Sequence, residues 1–380
     1  MAATLVVEAI FFAALSPLLP GLAEDLSLSK WQSGLLVSAY GLAVGAFAIP
    51  AGMIASRLGV RQTVVLGLLL LAVASVLFGV VHGYWPLVIA RFGQGVGGTL
   101  IWTGGLAWLI AASPSERRGE LLGSAMSAAI VGALLGPILG GFASHFGPST
   151  AFSAVAAIAA GLALLVPFLP SPPQARPQPA RVLVRALRRR DVQLSLWMLL
   201  LPALLFGTLS VLGPLQLDRV GYGVIGVAAT FVCSGIAEAS VSPLGGRWSD
   251  RIGPLPPLRA GLAGVTAVSL VIAWIDERWL LAAVIVLFGA AVGLLWTPSM
   301  ATLSHGWEAA GVEHGLGFAL LNLAFAFGHV IGSAAGGALA GAASDQVAWG
   351  VLAALCLATF PALRLRPAGV SRLAARAADP

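Results

Sequence analysis

Residues 132–141 read GALLGPILGG and residues 328–337 read GHVIGSAAGG. Each places glycine at every fourth position and closes on a Gly-Gly pair, and their first residues, 132 and 328, are 196 apart. In water such a pattern opposes helix formation, because Gly costs about 1 kcal/mol relative to Ala and Pro about 3 kcal/mol. In a bilayer the balance differs. Lipid tails are as apolar as Leu, so helices associate by close packing, and glycines at four-residue spacing let two backbones meet. The surrounding chain supplies that setting: 58% of its 380 residues are hydrophobic and 9% charged, against roughly 25% charged in a soluble domain.

Apolar runs close to the ~20 residues that span a bilayer as a helix occur at 4–22, 33–55, 64–81, 87–110, 121–142, 151–169, 192–214, 224–244, 260–275, 279–303, 317–339 and 348–363. They predict an all-α membrane protein of twelve transmembrane helices. A second pair of segments repeats at nearly the same interval: GMIASRLGVR from Gly52, after predicted helix 2, and GRWSDRIGPL from Gly246, after predicted helix 8, 194 apart. Two independent matches at one interval indicate a duplicated six-helix unit, an architecture in which parallel repeats enclose a substrate site near the membrane midplane. The long polar stretch PSPPQARPQPARVLVRALRRR, 170–190, reads as a linker. The expected division is a first bundle at 1–169, this linker, a second bundle at 191–363 and a tail at 364–380.

Basic residues near a membrane favour the cytoplasmic side. Of the 21, 17 fall in the loops after predicted helices 2, 4, 6 and 8 or in the tail, three (Lys30, Arg219 and Arg278) follow odd-numbered helices, and Arg91 lies inside helix 4. Both termini are therefore expected in the cytoplasm of a multi-pass cell-membrane protein, with a bacterial inner membrane as the expected setting. Orientation and anionic lipid headgroups account for the basic run at Arg185 and Arg188–Arg190 more simply than a nucleic-acid partner does. Cys233 and Cys356 fall inside predicted helices 8 and 12, which leaves no disulfide framework and no metal-ligand spacing. No cofactor or metal is expected.

These motifs together resemble the major facilitator superfamily along the whole chain. Gly52, Arg57, Gly59 and Arg61 are similar to its loop signature G-x-x-x-D-R-x-G-R-R, with Ser56 where the family has Asp; Gly246, Asp250, Arg251 and Gly253 are similar to the second copy, with the Asp present. The resemblance implies that this Asp braces helix ends when the cytoplasmic side is closed, a role left to Asp250 here. RFGQGVGG from Arg91 resembles the helix 4 motif R-x-x-x-G-x-G. GALLGPILGG resembles the helix 5 signature G-x-x-x-G-P-x-x-G-G of the drug:proton antiporter branch. Gly132, Gly136, Gly140 and Gly141, with Pro137 bending the helix, are then expected at the interface between halves, sealing the cavity as they rock; ordinary small-residue packing between helices is the competing reading.

Few charges lie inside the predicted spans. An ionisable side chain at the bilayer centre costs at least ~2.5 kcal/mol unless paired or hydrated, so each is a functional candidate. Glu8, in helix 1, and Glu238, in helix 8, are the candidate proton carriers, and Arg91 is the fixed charge that would tune one of them; the competing readings are snorkelling of Glu8 and Arg91 to the membrane surface and, for Glu238, a reach to the loop region or a structural pairing with a neighbour. Ser234 and Ser242 extend Glu238 into a polar stripe expected to face the cavity. Gln94 and Trp102 share the Arg91 face. Asn322 and His329 lie on a related stripe of helix 11, His329 being either a titrating group or a hydrogen-bonded packing residue. Tyr40, Trp102, Phe206 and Trp296 line either an apolar pocket or the lipid face.

The expected function is secondary transport, as a proton-coupled efflux antiporter of amphiphilic or drug-like small molecules, acting as a monomer. Proton-coupled uptake of a polar metabolite, and a non-transporting sensor on a carrier fold, remain as alternatives. An enzyme is not expected: there is no H-E-x-x-H and no G-x-S-x-G, and the single lysine, Lys30, follows a serine, which excludes a P-loop.

Overall fold

The computed structural model describes residues 1–112, 118–170, 187–309 and 314–363. Most of the expected linker and the whole expected tail lie outside these. Among the described residues there is no strand, and the helices form twelve spans. The first, α1, is one helix in two segments, Ala2–Ala13 and Leu15–Asp25, with a bend at Ala14. The others are α2 (Lys30–Leu58), α3 (Val60–Val80), α4 (Tyr84–Ala112), α5 (Arg118–Phe146), α6 (Pro148–Leu165), α7 (Arg190–Arg219), α8 (Val224–Ile252), α9 (Leu255–Val271), α10 (Arg278–Ala309), α11 (His314–Ala342) and α12 (Asp345–Ala362).

The helices outrun the apolar runs that announce them, because a span continues past the hydrocarbon core into the interfacial region. At α8 the extension is longest, and it lies on the side of the termini. The segments read as loops, from Gly52 and Gly246, are the last turns of α2 and α8. Each stops at a glycine, Gly59 at φ 91° and ψ 155° and Gly253 at φ 89° and ψ 166°, backbone conformations open essentially to glycine alone. At its other end α2 is held by a capping box: Ser29 Oγ accepts the Gln32 N–H at 3.2 Å and the Gln32 side chain accepts the Ser29 N–H at 2.9 Å.

The bend in α1 follows from Pro17 and Pro20, which have no N–H to donate to the preceding turn. Against this helix lies the glycine ridge of α5. A β-carbon at Gly136 would stand 2.5 Å from the Ala13 β-carbon and 2.9 Å from the Ile10 carbonyl oxygen; one at Gly132 would stand 2.8 Å from the Ala9 β-carbon, and one at Gly140 2.9 Å from the Ala14 carbonyl oxygen. The ridge of α11 repeats the arrangement on α7. There Gly328 faces Leu200 and Ala203, Gly332 faces Leu204 and Gly336 faces Thr208. Ala9 and Ala203 are themselves 194 residues apart, so ridge and receiving surface recur together.

This corrects the placement of the helix 5 ridge at the seam between halves. Gly132, Gly136 and Gly140 are spent inside the N-terminal half, where the small residues of α1 admit them. The seam uses other residues of the same helix: Leu134 against Gly235 of α8, and Gly141 3.8 Å from Ala228 when given a β-carbon. A second seam joins α2 to α11, where a β-carbon at Gly34 would stand 2.5 Å from the Ser333 carbonyl oxygen and one at Gly41 3.3 Å from that of Ala326. Gly34 and Gly41 lie in the first half of α2, and Gly235 and Ala228 in the first half of α8. Both seams thus close the bundle at the end remote from the termini.

Candidate functional site

Glu8 is buried, 4% exposed, in α1. The Tyr40 hydroxyl of α2 donates to its Oε1, and the Trp102 indole N–H of α4 donates to its Oε2 at 2.7 Å. Both carboxylate oxygens are therefore engaged inside the bundle, not turned to the membrane surface. The site depends on absent side chains. A β-carbon at Gly98 would stand 3.0 Å from Glu8 Oε1 and collide with the Tyr40 hydroxyl, one at Gly95 would stand 2.7 Å from the Ala43 β-carbon of α2, and one at Gly97 2.7 Å from the Leu71 amide of α3. The glycines after Arg91 draw three neighbours onto one turn of α4.

Arg91, 2% exposed, does not snorkel. Its guanidinium donates to the carbonyls of Phe11 at 2.7 Å and Phe12 at 2.6 Å, at the bend of α1, and to Gln94 Oε1 at 2.9 Å. Gln94 in turn donates to Ser75 Oγ of α3 at 3.1 Å. The guanidinium lies 4.9 Å from the Tyr40 ring centroid, a cation–π distance. Arg91 and Glu8 form no ion pair; Tyr40 stands between them as the shared neighbour.

From Tyr40 a run of rings crosses to the C-terminal half. Phe12 meets Tyr40 edge-on at 5.1 Å, lies 6.3 Å from Phe206 of α7 and 6.0 Å from Phe325 of α11, and Phe325 lies 5.8 Å from Trp296 of α10. Trp296 is the side-chain neighbour of the Glu238 carboxylate. Trp102 and Trp296 are 194 residues apart, so each half directs a tryptophan of equivalent position at an embedded carboxylate. Phe12, Trp102, Phe206, Glu238, Trp296 and Phe325 are all half-buried, and they lie where the two halves face each other.

His329 is 2% exposed and sits among Phe12, Phe206 and Phe325 with ring centroids 5.3–5.9 Å away. Its Nδ1 has no hydrogen-bond partner among the described residues. Asn322 is half-buried two turns away on the same helix. The serine stripe of α8 does not face the open space. Ser234 Oγ donates to the Ile285 carbonyl at 3.1 Å and Ser242 Oγ meets Thr297 Oγ1 at 2.7 Å, both on α10. The reason is again a glycine pair: Gly289 packs on Ser234 and Gly293 on the Glu238 backbone, pulling α8 and α10 together along that stripe.

At the end bearing the termini, Arg61 Nη1 donates to the Pro167 carbonyl at 3.1 Å, capping the short turn that ends the sixth span. Arg57, Asp250 and Arg251 are exposed. Among the described residues Asp250 has no ion pair, so the brace implied by the family signature is not formed in this arrangement, in which that end is not the closed one. Ser56 turns its hydroxyl back to the Met53 carbonyl at 2.9 Å. Gly52 faces open space and Gly246 faces Thr297.

The sequence reading did not find the joining roles of Tyr40 and Phe12, nor the ion pairs of Lys30 and Arg219 with Asp345 at the far end. The 194-residue match of Trp102 to Trp296 was the available signal for the paired carboxylates.

A twelve-span chain with duplicated ridges and a carboxylate site between its halves is the architecture of a carrier, and the family model described as Major Facilitator Superfamily matches residues 1–312 and again 236–379. The chain belongs to the Major Facilitator Superfamily. Within this superfamily it is similar to the quinolone resistance protein NorA of Staphylococcus aureus (strain MRSA252), 29% identical over 107 residues, and to the uncharacterized MFS-type transporter YcaD of Salmonella arizonae, 33% identical over 112 residues. These alignments span 28% and 29% of this chain and the same shares of those proteins. The fold matches a bacterial homolog of the human lysosomal transporter Spinster, solved inward-facing and unoccupied, with TM-score 0.74 at 17% identity over 98% of this chain and 91% of that one. The occupied form of that homolog gives 0.69 over 97% and 98%. This superfamily member is a multi-pass membrane protein with the fold of a transporter.

Proposed function

We propose that this transporter exports amphiphilic or drug-like small molecules in exchange for protons, with Glu8 as the proton carrier. The carrying observation is the environment of Glu8: a buried carboxylate with both oxygens hydrogen-bonded, next to a fixed guanidinium, and joined by an unbroken run of rings to the opposite half. Its partners Tyr40 and Trp102 belong to the same half, so movement of the halves changes the water and the rings that meet its open side, and that change is what couples its protonation to transport. The half-buried aromatic surfaces offer an apolar lining with few polar groups, which suits amphiphilic cargo. The helix 5 signature and the partial likeness to a protein named for quinolone resistance support export.

The distribution of basic residues puts both termini in the cytoplasm, so the closed end faces outward and the site opens inward. In the cycle, Glu8 takes a proton when the outer end opens and loses it to the cytoplasm when the inner end opens, as substrate replaces it. Each charge moved through the field contributes about 2.3 kcal/mol per 100 mV. One chain holds both halves of the site, so a monomer is the transporting unit. Half-buried Glu238 and Asn322 meet the substrate from the C-terminal half, with His329 behind the rings of Phe12, Phe206 and Phe325.

The test is export of a panel of fluorescent amphiphiles from cells or into inverted vesicles, with and without a protonophore. The expected result is protonophore-sensitive export that Glu8→Gln lowers by tenfold or more, the scale of removing an essential acid–base group. Glu8→Gln retaining full protonophore-sensitive export removes Glu8 from the coupling step; no flux for any cargo refutes the efflux reading.

A further inference from the structure

Asp345, the first residue of α12, is 4% exposed and binds two cations at once. Lys30 Nζ, from the first residue of α2, lies 2.5 Å from Oδ1, and Arg219 Nη2, from the last residue of α7, lies 2.6 Å from Oδ2. Both ion pairs lie at the end remote from the termini. Their partition between the halves is uneven: Arg219 and Asp345 belong to the C-terminal half, and Lys30, the chain's single lysine, comes from the other. The contact sits directly over the tightest seam. The Lys30 backbone packs on Gly337 of α11, and one turn further along α2 Gly34 meets Ser333 and Gly337.

We propose that these three residues form a charge latch on the end of the transporter remote from its termini, with Lys30 as the releasing part and Arg219 as the counter-ion that stays. When the halves part at this end, Lys30 leaves with α2 and its link to Asp345 breaks. Arg219 moves with Asp345, so the carboxylate keeps a partner in the open state. A buried carboxylate stripped of every partner would be strongly penalised, and the second cation removes that penalty from the opening step. Lys30 therefore favours the closed end, and Arg219 favours the open one. The chemistry fits this division. A lysine ammonium is a strongly hydrated point charge that returns readily to water, and an arginine fork holds a carboxylate with directional bonds. Lys30 is 30% exposed, with water at hand to receive it.

The two cations thus predict shifts of opposite sign, which a merely structural role for the cluster would not produce. The readout is alkylation of Ser33→Cys by a maleimide, in full-length protein in lipid nanodiscs with Cys233 and Cys356 replaced by Ala. Ser33 is 0% exposed, three residues beyond Lys30, and its hydroxyl has no partner to lose. Slow labelling is expected in the otherwise unaltered protein. Lys30→Met, which keeps the apolar stem, and Asp345→Asn are expected to raise the rate roughly three- to fivefold, the scale of a partly exposed ion pair. Lys30→Arg, retaining the charge, stays within about twofold of the parent. Arg219→Ala lowers the rate by a similar three- to fivefold factor. The proposal is overturned if Lys30→Met leaves the rate unchanged or lowers it, or if Arg219→Ala raises it as Lys30→Met does. Rapid labelling of the parent would equally overturn it, since the end would then not be closed. The test uses neither substrate nor proton gradient, so its outcome is independent of the efflux reading.

Discussion

Replacing Arg91 separates two roles that a single embedded cation could hold. Its guanidinium makes three charge-assisted hydrogen bonds, to the Phe11 and Phe12 carbonyls and to Gln94. Bonds of that type contribute about 1.5–3 kcal/mol each, and a buried carbonyl left without a donor costs about 1–3 kcal/mol. The Phe11 contact is buried and the Phe12 contact part-buried, so the lost donors are replaced only in part, by water at Phe12 or by amides of the same helix. The expected cost of Arg91→Gln is therefore about 3 kcal/mol, within a range of roughly 2–6. Thermal unfolding of the purified protein in detergent should show a fall in Tm on the order of 5 °C. Arg91→Lys should fall between, because an ammonium reaches one carbonyl but has no fork to span two. The same bend sets Phe12 against Phe206 and Phe325, so transport should fall with stability. A variant Arg91→Gln as stable as the parent yet inactive would refute the pinning role and leave Arg91 as an electrostatic partner of Glu8 alone.

The glycine ridges give a paired prediction: Gly136→Val and Gly332→Val should each destabilise by about 1–3 kcal/mol through overpacking, whereas Gly161→Ala, whose β-carbon meets nothing within 4 Å, should be neutral or stabilising by up to about 1 kcal/mol. Thermal unfolding of the three variants checks the contrast, and equal effects would remove the close-packing argument. Gly59→Ala and Gly253→Ala each force a side chain into backbone space reserved for glycine, at about 1–3 kcal/mol; hydrogen exchange at the following turns of α3 and α9 should rise.

Much of the fold was legible along the chain, because a bilayer imposes length and apolarity on every span and duplication leaves a fixed interval. The run lengths set twelve helices, and the 194- and 196-residue intervals located the paired ridges and the paired helix-stopping glycines Gly59 and Gly253 before any contact was known. The embedded charges announced themselves for the same reason: in a chain with 9% charged residues, Glu8, Arg91 and Glu238 stand out inside apolar runs.

Partnership is another matter, since it depends on which faces of different helices meet. One helix's periodicity gives a face but not its neighbour. The ridge of α5 was therefore assigned to the wrong contact, the serine stripe of α8 turned toward α10 and not toward the open space, and Arg91, expected as a fixed charge beside a carboxylate, also holds the carbonyls of a proline-bent helix. Lys30, Arg219 and Asp345 lie far apart in sequence and read singly as loop charges; only the approach of α2, α7 and α12 at one end of the bundle makes them a cluster. Composition and interval determined what this protein is built from, and tertiary packing decided which polar groups face each other, because in lipid each buried polar atom must find its partner within the protein itself.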